Sequence, residues 1–177
     1  MQRLNICAII LASGKGLRFG GPKAEALLET GESFLERAEN LLRDIGLSCL
    51  RSVVNRDTPD MLSSLRLGVS ECPDMDAYLV FPVDFPFVKK ETILSLLQAA
   101  CEYPGIVIKP TYRGDKGHPI IIPGNMDLSP EEISGGLAEL IYKQGLTVLD
   151  LPVDDPGILR NVNYPIKPER KPLSASR

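Results

Sequence analysis

A glycine-rich segment near the N-terminus carries the residues best suited to chemistry. It follows an apolar run and reads ASGKGLRFGGPK over positions 12–23. Gly14 and Gly16 have no Cβ, so backbone N–H groups there can approach a polyphosphate closely. Three cations surround these glycines: Lys15, Arg18 and Lys23. The spacing predicts a phosphate-binding loop; the alternative interpretation is a glycine-rich turn with solvated lysines.

Spacing excludes two common kinds of phosphate loop. A dinucleotide-binding fingerprint that starts at Gly14 needs its third glycine at position 19, which is Phe19. A Walker A loop that starts at Gly16 needs lysine at position 22, which is Pro22. The loop therefore belongs to neither class.

A second group of candidates lies further along the chain. Asp84 follows the apolar run at 77–82, and open parallel sheets bind ligands at this carboxyl edge of their strands. The Asp84 carboxylate suits Mg²⁺, which takes one or two protein oxygens besides phosphate and water. A turn role is the alternative for Asp84, and Asn163 can be a turn residue as well. His118 is the single histidine, and a neutral imidazole is more often packed than catalytic.

The elements that must position these residues follow from the hydrophobic pattern. Apolar, β-rich runs occupy 4–11, 50–54, 77–82, 105–109, 119–122 and 146–151. Helical patterning fills most of the gaps, which predicts an α/β fold: a three-layer, Rossmann-like open sheet, mostly parallel, with helices on both faces. A turn at 113–117 predicts that the run at 119–122 returns antiparallel to its predecessor.

Helix boundaries are predicted from capping residues. Ser33 and Glu36 form a capping box, and Gly46 ends the first helix. The other helices are expected to begin at Thr58-Pro59, to span 90–101 and to follow a cap at Ser129.

Bulk composition predicts one ordinary globular domain. The chain has 177 residues, 44% of them hydrophobic and 24% charged, and we expect a domain over 1–166 and a disordered tail over 167–177. A net charge of −3 argues against a nucleic-acid partner and favours a small molecule. Four cysteines without a C-x-x-C pair predict reduced core thiols, and the short N-terminal apolar run argues against export or membrane insertion. A cytoplasmic protein, monomeric or weakly dimeric, is expected.

Several motifs in series resemble one family. LASGKGLRFGGPK, at 11–23, resembles the L-A-x-G-x-G-x-R-[MF]-G-x-x-K signature of the molybdenum-cofactor (MobA/MocA-like) nucleotidyltransferases. The further matches are Ser63-Ser-Leu-Arg-x-Gly68, Val83-Asp-Phe-Pro86, Gly117-His-Pro119, Asp154-Asp-Pro-Gly157 and Asn161-Val-Asn163. Together they cover residues 6–165 and match best the cytidylyltransferase branch.

This resemblance implies a role for each candidate residue. Lys23 would contact the α-phosphate, Arg18 would hold the leaving pyrophosphate, and Asp84 with Asn163 would bind a Mg²⁺ cofactor. His118 would lie on the acceptor side. The implied nucleotide-binding residues are Leu11, Ala12, Ser13, Gly14, Lys15, Gly16, Ser64 and Arg66. The fold implied is that of the nucleotide-diphospho-sugar transferases.

Departures from the family pattern leave alternatives open. About one strand and one helix fewer than usual are expected before the Ser63 motif. Asn161-Val-Asn163 is closer to the guanylyl branch, and Ser13 matches neither branch. CMP transfer from CTP to molybdopterin or molybdenum cofactor is favoured, with GMP transfer from GTP the other possibility. A sugar phosphate or other small phosphate as acceptor, and a nucleotide-binding module without turnover, are the alternative functions.

Overall fold

The computed structural model describes residues 4–13, 22–54, 56, 58–130 and 133–163. Its strands are β1 (Ile6–Ala12), β2 (Cys49–Val54), β3 (Ala77–Pro82), β4 (Val107–Tyr112), β5 (Asp115–Lys116), β6 (Ile120–Pro123) and β7 (Val148–Pro152). Its helices are α1 (Phe34–Asp44), α2 (Met61–Ser70), α3 (Lys90–Glu102) and α4 (Gly136–Lys143). Two short 3₁₀ turns, Lys23–Glu25 and Pro156–Leu159, complete the set.

The strands form one open, mixed sheet. β2, β1 and β3 are parallel neighbours, and β6 pairs antiparallel with both β3 and β4. Ile108 of β4 pairs with β6 on one side and with the parallel strand β7 on the other. Among the described strands, only β5 and β6 run against the common direction. The mostly parallel sheet and the antiparallel return of the run at 119–122 are both confirmed.

Helices cover both faces of the sheet, as predicted. Alternate residues of β1 face opposite sides, so Ala8 and Ile10 pack with α1 and α3, whereas Cys7 and Ile9 pack with α2 and α4. Strands buried on both faces read as continuous apolar runs, which explains ICAIILA in β1. One described strand, β2, lies between α1 and α2, in agreement with the prediction for that segment.

The start of α1 agrees with the sequence. The backbone N–H of Glu36 donates to Ser33 Oγ at 3.1 Å, and the N–H of Ser33 donates to Glu36 Oε2 at 2.8 Å. Gly46 follows the helix with φ +78°, a left-handed conformation that a residue with a Cβ adopts at a cost.

Two predicted helix starts are wrong. α2 begins at Met61 because Asp60, not Thr58, accepts the N–H of Ser63, at 2.7 Å. That hydrogen bond also lowers the pKa of Asp60. α4 begins at Gly136, well after the expected cap at Ser129, whose N–H instead donates to the side chain of Asp127 at 2.9 Å.

The expected tail over 167–177 lies outside the described residues. Among the helices that the structure does describe, none combines the length and the apolar character needed to cross a bilayer.

Candidate active site

Three side chains that the sequence placed far apart meet at the carboxyl edge of β3. Lys23 Nζ donates to Asp84 Oδ2 at 2.9 Å and to Asn163 Oδ1 at 2.8 Å. We call Lys23, Asp84 and Asn163 the edge trio. The side chains of Lys23 and Asp84 are 19% and 17% exposed, so their ion pair is shielded from water more than a surface pair is.

Backbone contacts position each member of the trio. Lys23 opens the first 3₁₀ turn, which buried Ala24 anchors in the core. Asp84 lies in the turn after β3. The N–H of Val162 donates to the Asp84 carbonyl at 2.8 Å, so the segment that carries Asn163 lies directly beside this turn.

The trio fits a site for a cation and a phosphate. Two oxygens, Asp84 Oδ2 and Asn163 Oδ1, lie within 2.9 Å of one nitrogen, so they converge on one point where positive charge is held. Carboxylate and amide oxygens are the ligand types that Mg²⁺ prefers, although a neutral Asn holds it less tightly than a second carboxylate. An ammonium has three N–H donors, and these two contacts leave the third for a ligand oxygen.

The end of β1 leads into the predicted phosphate loop. Leu11 and Ala12 are buried, and Ser13 Oγ donates to the carbonyl of Val53 in β2 at 3.1 Å. The other predicted loop residues lie outside the described part of the chain: Gly14, Lys15, Gly16 and Arg18.

Ser64 and Arg66 do not contact the edge trio. The hydroxyl of buried Ser64 donates to the Asp60 carbonyl at 3.1 Å and shares a hydrogen bond of 2.6 Å with Thr58 Oγ1. Arg66 Nε donates to the carbonyl of Leu128 at 2.6 Å, and its NH2 group donates to that of Pro130. Both side chains therefore brace the start of α2 and the loop after β6, and their nucleotide-binding roles stay predictions.

His118 lies next to the turn that carries Asp84. Its ring packs against Phe85 with the centroids 4.9 Å apart, and its Nδ1 is buried without a hydrogen-bond partner. Burial lowers the pKa of His118, and positively charged Lys109 adds to this, while Asp84 opposes it. Burial therefore favours the neutral imidazole, and its Nδ1 is enclosed by the protein.

Two basic residues near this region were missed from the sequence. Lys109 lies half-buried in β4, where burial and the neighbouring Lys116 lower its pKa. The Arg160 guanidinium lies 3.7 Å from the ring centroid of Phe87, at the wall of a cavity of about 500 Å³ that Arg37 also lines. The sequence offered one signal for each residue. Lys109 is a lysine inside an apolar strand, and Arg160 is an arginine next to the Asn161 motif.

The open α/β sheet carries a lysine, a carboxylate and an amide oxygen at its carboxyl edge, and a glycine-rich segment follows β1 at the same edge. This arrangement suits the phosphates of a nucleotide. The model of the family described as MobA-like NTP transferase domain matches residues 8–149. The chain belongs to this family, and it is a nucleotidyltransferase.

Solved structures share the fold at low sequence identity. Rv0371c from Mycobacterium tuberculosis H37Rv superposes with a TM-score of 0.77 at 20% identity, over 93% of this chain and 95% of that one. The same protein is described in complex with manganese, with a TM-score of 0.67, 19% identity, and coverage of 84% and 88%.

Relatives with different named activities match about equally well. The 2-C-methyl-D-erythritol 4-phosphate cytidylyltransferase from Thermus thermophilus has a TM-score of 0.62 at 16% identity, over 87% and 91% of the chains. Molybdopterin-guanine dinucleotide biosynthesis protein A from Archaeoglobus fulgidus has a TM-score of 0.61 at 17% identity, over 89% and 92%. No curated protein sequence matches the chain significantly.

Proposed function

We propose that this protein transfers a nucleoside monophosphate from an NTP to the phosphate of a small acceptor and releases pyrophosphate. The observation that carries the proposal is the edge trio, in which one ammonium lies within 2.9 Å of two hard oxygen ligands. Molybdopterin or molybdenum cofactor is the leading acceptor. CMP from CTP is favoured over GMP from GTP, because the Gly117-His-Pro119 and Asp154-Asp-Pro-Gly157 motifs resemble the cytidylyl branch.

The reaction needs no protein nucleophile. An oxygen of the acceptor phosphate attacks the α-phosphorus in line, a new P–O bond forms, and the bond to the bridging oxygen breaks as pyrophosphate leaves. Catalysis then rests on positioning and charge neutralisation. The Lys23 ammonium would donate to an α-phosphate oxygen as negative charge grows there, and Arg18 would hold the pyrophosphate.

Asp84 and Asn163 would hold a divalent cation, Mg²⁺ in our proposal. Bound there, it supplies charge neutralisation for the phosphate oxygens of the triphosphate. Lys23 would keep these two oxygens together until nucleotide arrives. When a lysine exchanges its contacts with two side-chain oxygens for a phosphate, its positive charge has a hydrogen-bond partner before and after. The exchange therefore costs little free energy.

The acceptor would lie beside His118 and Lys109. The half-buried ammonium of Lys109 favours an anionic group nearby, and the ring of His118 packs on Phe85 beside the turn that carries Asp84. Both residues belong to the hairpin that ends in β6, next to the turn with Asp84. The acceptor phosphate would therefore approach from the side away from β2.

The decisive experiment measures pyrophosphate release from each of the four triphosphates with Mg²⁺ and an acceptor. Molybdopterin and a sugar phosphate are compared as acceptors, and Mn²⁺ as the alternative metal. We expect release with molybdopterin, faster with CTP than with GTP. Binding of nucleotide without release under any condition would favour the module without turnover, and faster GTP turnover would move the chain to the guanylyl branch.

The variant Asp84→Asn tests the proposed metal ligand. It keeps the shape of the side chain and removes its charge, so we expect metal-dependent turnover to fall by about 10²-fold or more while some nucleotide affinity remains. Asp154→Asn is the control, because Asp154 is exposed and its only described hydrogen bond is formed by its backbone carbonyl, which accepts from Lys89 Nζ. Turnover that does not depend on a metal would contradict the assignment of Asp84.

A further inference from the structure

Three of the four cysteines converge in space. Cys7 lies in β1, Cys49 begins β2, and Cys72 follows α2, yet their Sγ atoms all lie within 4.8 Å of one another. Cys7 and Cys49 are direct partners in the parallel pairing of β1 with β2. We call these residues the cysteine triad.

The triad lies at the end of the sheet opposite the edge trio. Cys7 and Cys49 stand at the amino ends of their strands, whereas Asp84 follows the carboxyl end of the parallel strand β3. Cys7 and Cys72 are buried beneath α2, and Cys49 is half-buried. A function of the triad is therefore separate from nucleotidyl transfer.

The separation of the sulfurs suits coordination by a single ion. Zinc–thiolate bonds of about 2.3 Å place the sulfurs of one ion about 3.8–4.0 Å apart, so each thiol has to move by less than an ångström. We propose that Cys7, Cys49 and Cys72 bind one thiophilic d¹⁰ divalent cation, of which Zn²⁺ is the biological member. Water can complete the coordination of Zn²⁺ where three protein ligands are present.

Charge and access support a divalent ion. Three thiolates and Zn²⁺ leave one net negative charge, and the Arg51 guanidinium lies near enough to favour negative charge on Cys72. Cys49 lines a surface cavity of about 650 Å³ together with Met75 and Cys101, so this member of the triad is the one that solvent reaches. A monovalent ion such as Cu⁺ would leave two negative charges beside Arg51.

The alternative is a set of packed core thiols that bind no ion. Burial raises the pKa of Cys7 and of Cys72, which is typical of inert thiols. The two interpretations differ in one measurable respect, because inert thiols take up no stoichiometric metal.

The test is equilibrium dialysis of the full, reduced, metal-stripped chain against Zn²⁺ alone, with Cd²⁺ as a second probe whose thiolate charge-transfer absorbance reports coordination by sulfur. We expect one equivalent per chain. Cys49→Ser should weaken Zn²⁺ binding by about tenfold or more, because it removes one of three ligands. Cys101→Ser is the matched control, since Cys101 is a half-buried cysteine outside the triad, and it should bind like the parent.

A second measurement does not depend on the folding of a variant. In the parent chain, Zn²⁺ should slow alkylation of Cys49 and leave alkylation of Cys101 unchanged. Absence of stoichiometric Zn²⁺ binding, equal binding by Cys49→Ser, equal protection of both cysteines, or binding of Cu⁺ but not of Zn²⁺ would each overturn the proposal.

Discussion

The ammonium of Lys23 donates to two oxygen partners. Removing this side chain should lower activity strongly and stability only slightly. We expect Lys23→Ala to lower kcat/KM by about 10²–10³-fold, because in the proposed mechanism its ammonium contacts the α-phosphate and stabilises charge that develops in the transition state. Unfolding free energy should fall by only about 1 kcal/mol, since the pair with Asp84 is partly exposed.

Lys90→Ala is the control for this variant. Lys90 is exposed, and its Nζ donates only to the Asp44 carbonyl among the described contacts, so both quantities should stay at parent values. Equal turnover in Lys23→Ala and the parent would remove Lys23 from the mechanism.

His118 should make stability depend on pH in a defined direction. Its pKa in the folded chain lies below the ordinary value of 6.5, mainly because of burial. Below about pH 6.5 the unfolded chain binds the proton more readily than the folded chain, so stability falls as the pH is lowered further. Denaturant unfolding in metal-free buffer at about pH 7.5 and about pH 5 should show a smaller loss for His118→Gln than for the parent. An equal loss in both would show that the imidazole is not held neutral.

Sequence spacing singled out some residues of the candidate site and passed over others for a physical reason. Lys23 and Asp84 could be predicted because each directly follows a recognisable apolar strand or glycine loop. Lys109 could not, since one charged residue in an apolar run does not reveal that β6 brings His118 beside it. Arg66 lies in a predicted motif, but its guanidinium is bonded to the loop after β6, a contact that no local pattern specifies.

At the level of elements, Asp155 joins the second 3₁₀ turn to α3. Its buried carboxylate accepts from Thr92 Oγ1 at 2.6 Å, from the N–H of Lys89 at 2.8 Å and from that of Gly157 at 2.8 Å. We expect Asp155→Asn to lower the unfolding free energy by about 2–3 kcal/mol, because an amide group replaces one fully used acceptor oxygen. Chemical denaturation measures this, and exposed Asp154→Asn should change it little.

The same turn also packs against the hairpin that carries His118. A Cβ on Gly117 would lie 2.3 Å from the carbonyl oxygen of Ile158, which is backbone and cannot swing away. Gly117→Ala should therefore destabilise the chain by about 1–3 kcal/mol. It should also weaken acceptor use more than NTP use, as a rise in the acceptor KM. If Gly117→Ala has the unfolding free energy of the parent, the second 3₁₀ turn can move away from the hairpin at little cost.

Strands could be predicted at this scale better than helix starts. Continuous apolar runs mark buried strands because both faces are covered. Helix starts depend on which side chain reaches the first free N–H groups, and several candidates compete within a few residues. At α2, Asp60 rather than Thr58 accepts the hydrogen bond that caps the helix. At Ser129, a local turn with Asp127 replaces the expected helix start.

For the whole molecule, ligand binding should appear as added stability. A nucleotide with Mg²⁺ that binds only the folded chain adds about 2.7 kcal/mol at a hundredfold excess over Kd. Each kcal/mol should raise Tm by about 2–4 °C in a chain of this size. Thermal unfolding with CTP should show this shift, and Asp84→Asn should lose the part that depends on Mg²⁺. A shift that is the same with and without the metal would contradict the proposed ligands.

The alternation of strands and helices predicts the class of fold, but not the order of strands in the sheet. β6 lies between β3 and β4, but its buried run Ile120, Ile121 and Ile122 looks like any other apolar run, so the local sequence does not specify its neighbours. For the same reason, cysteines that are widely spaced in the sequence could not be expected to meet.

The contact between Lys23 and Asn163 joins positions 140 residues apart. On the ribosome, which makes the chain from its N-terminus, the last strand of the described sheet is complete once Pro152 has been added, and Asn163 follows only afterwards. A nascent chain halted in this interval holds every strand that the structure describes but lacks this partner of Lys23. Under the proposed mechanism, a translation product that stops between Pro152 and Asn163 therefore has its sheet but no transfer activity.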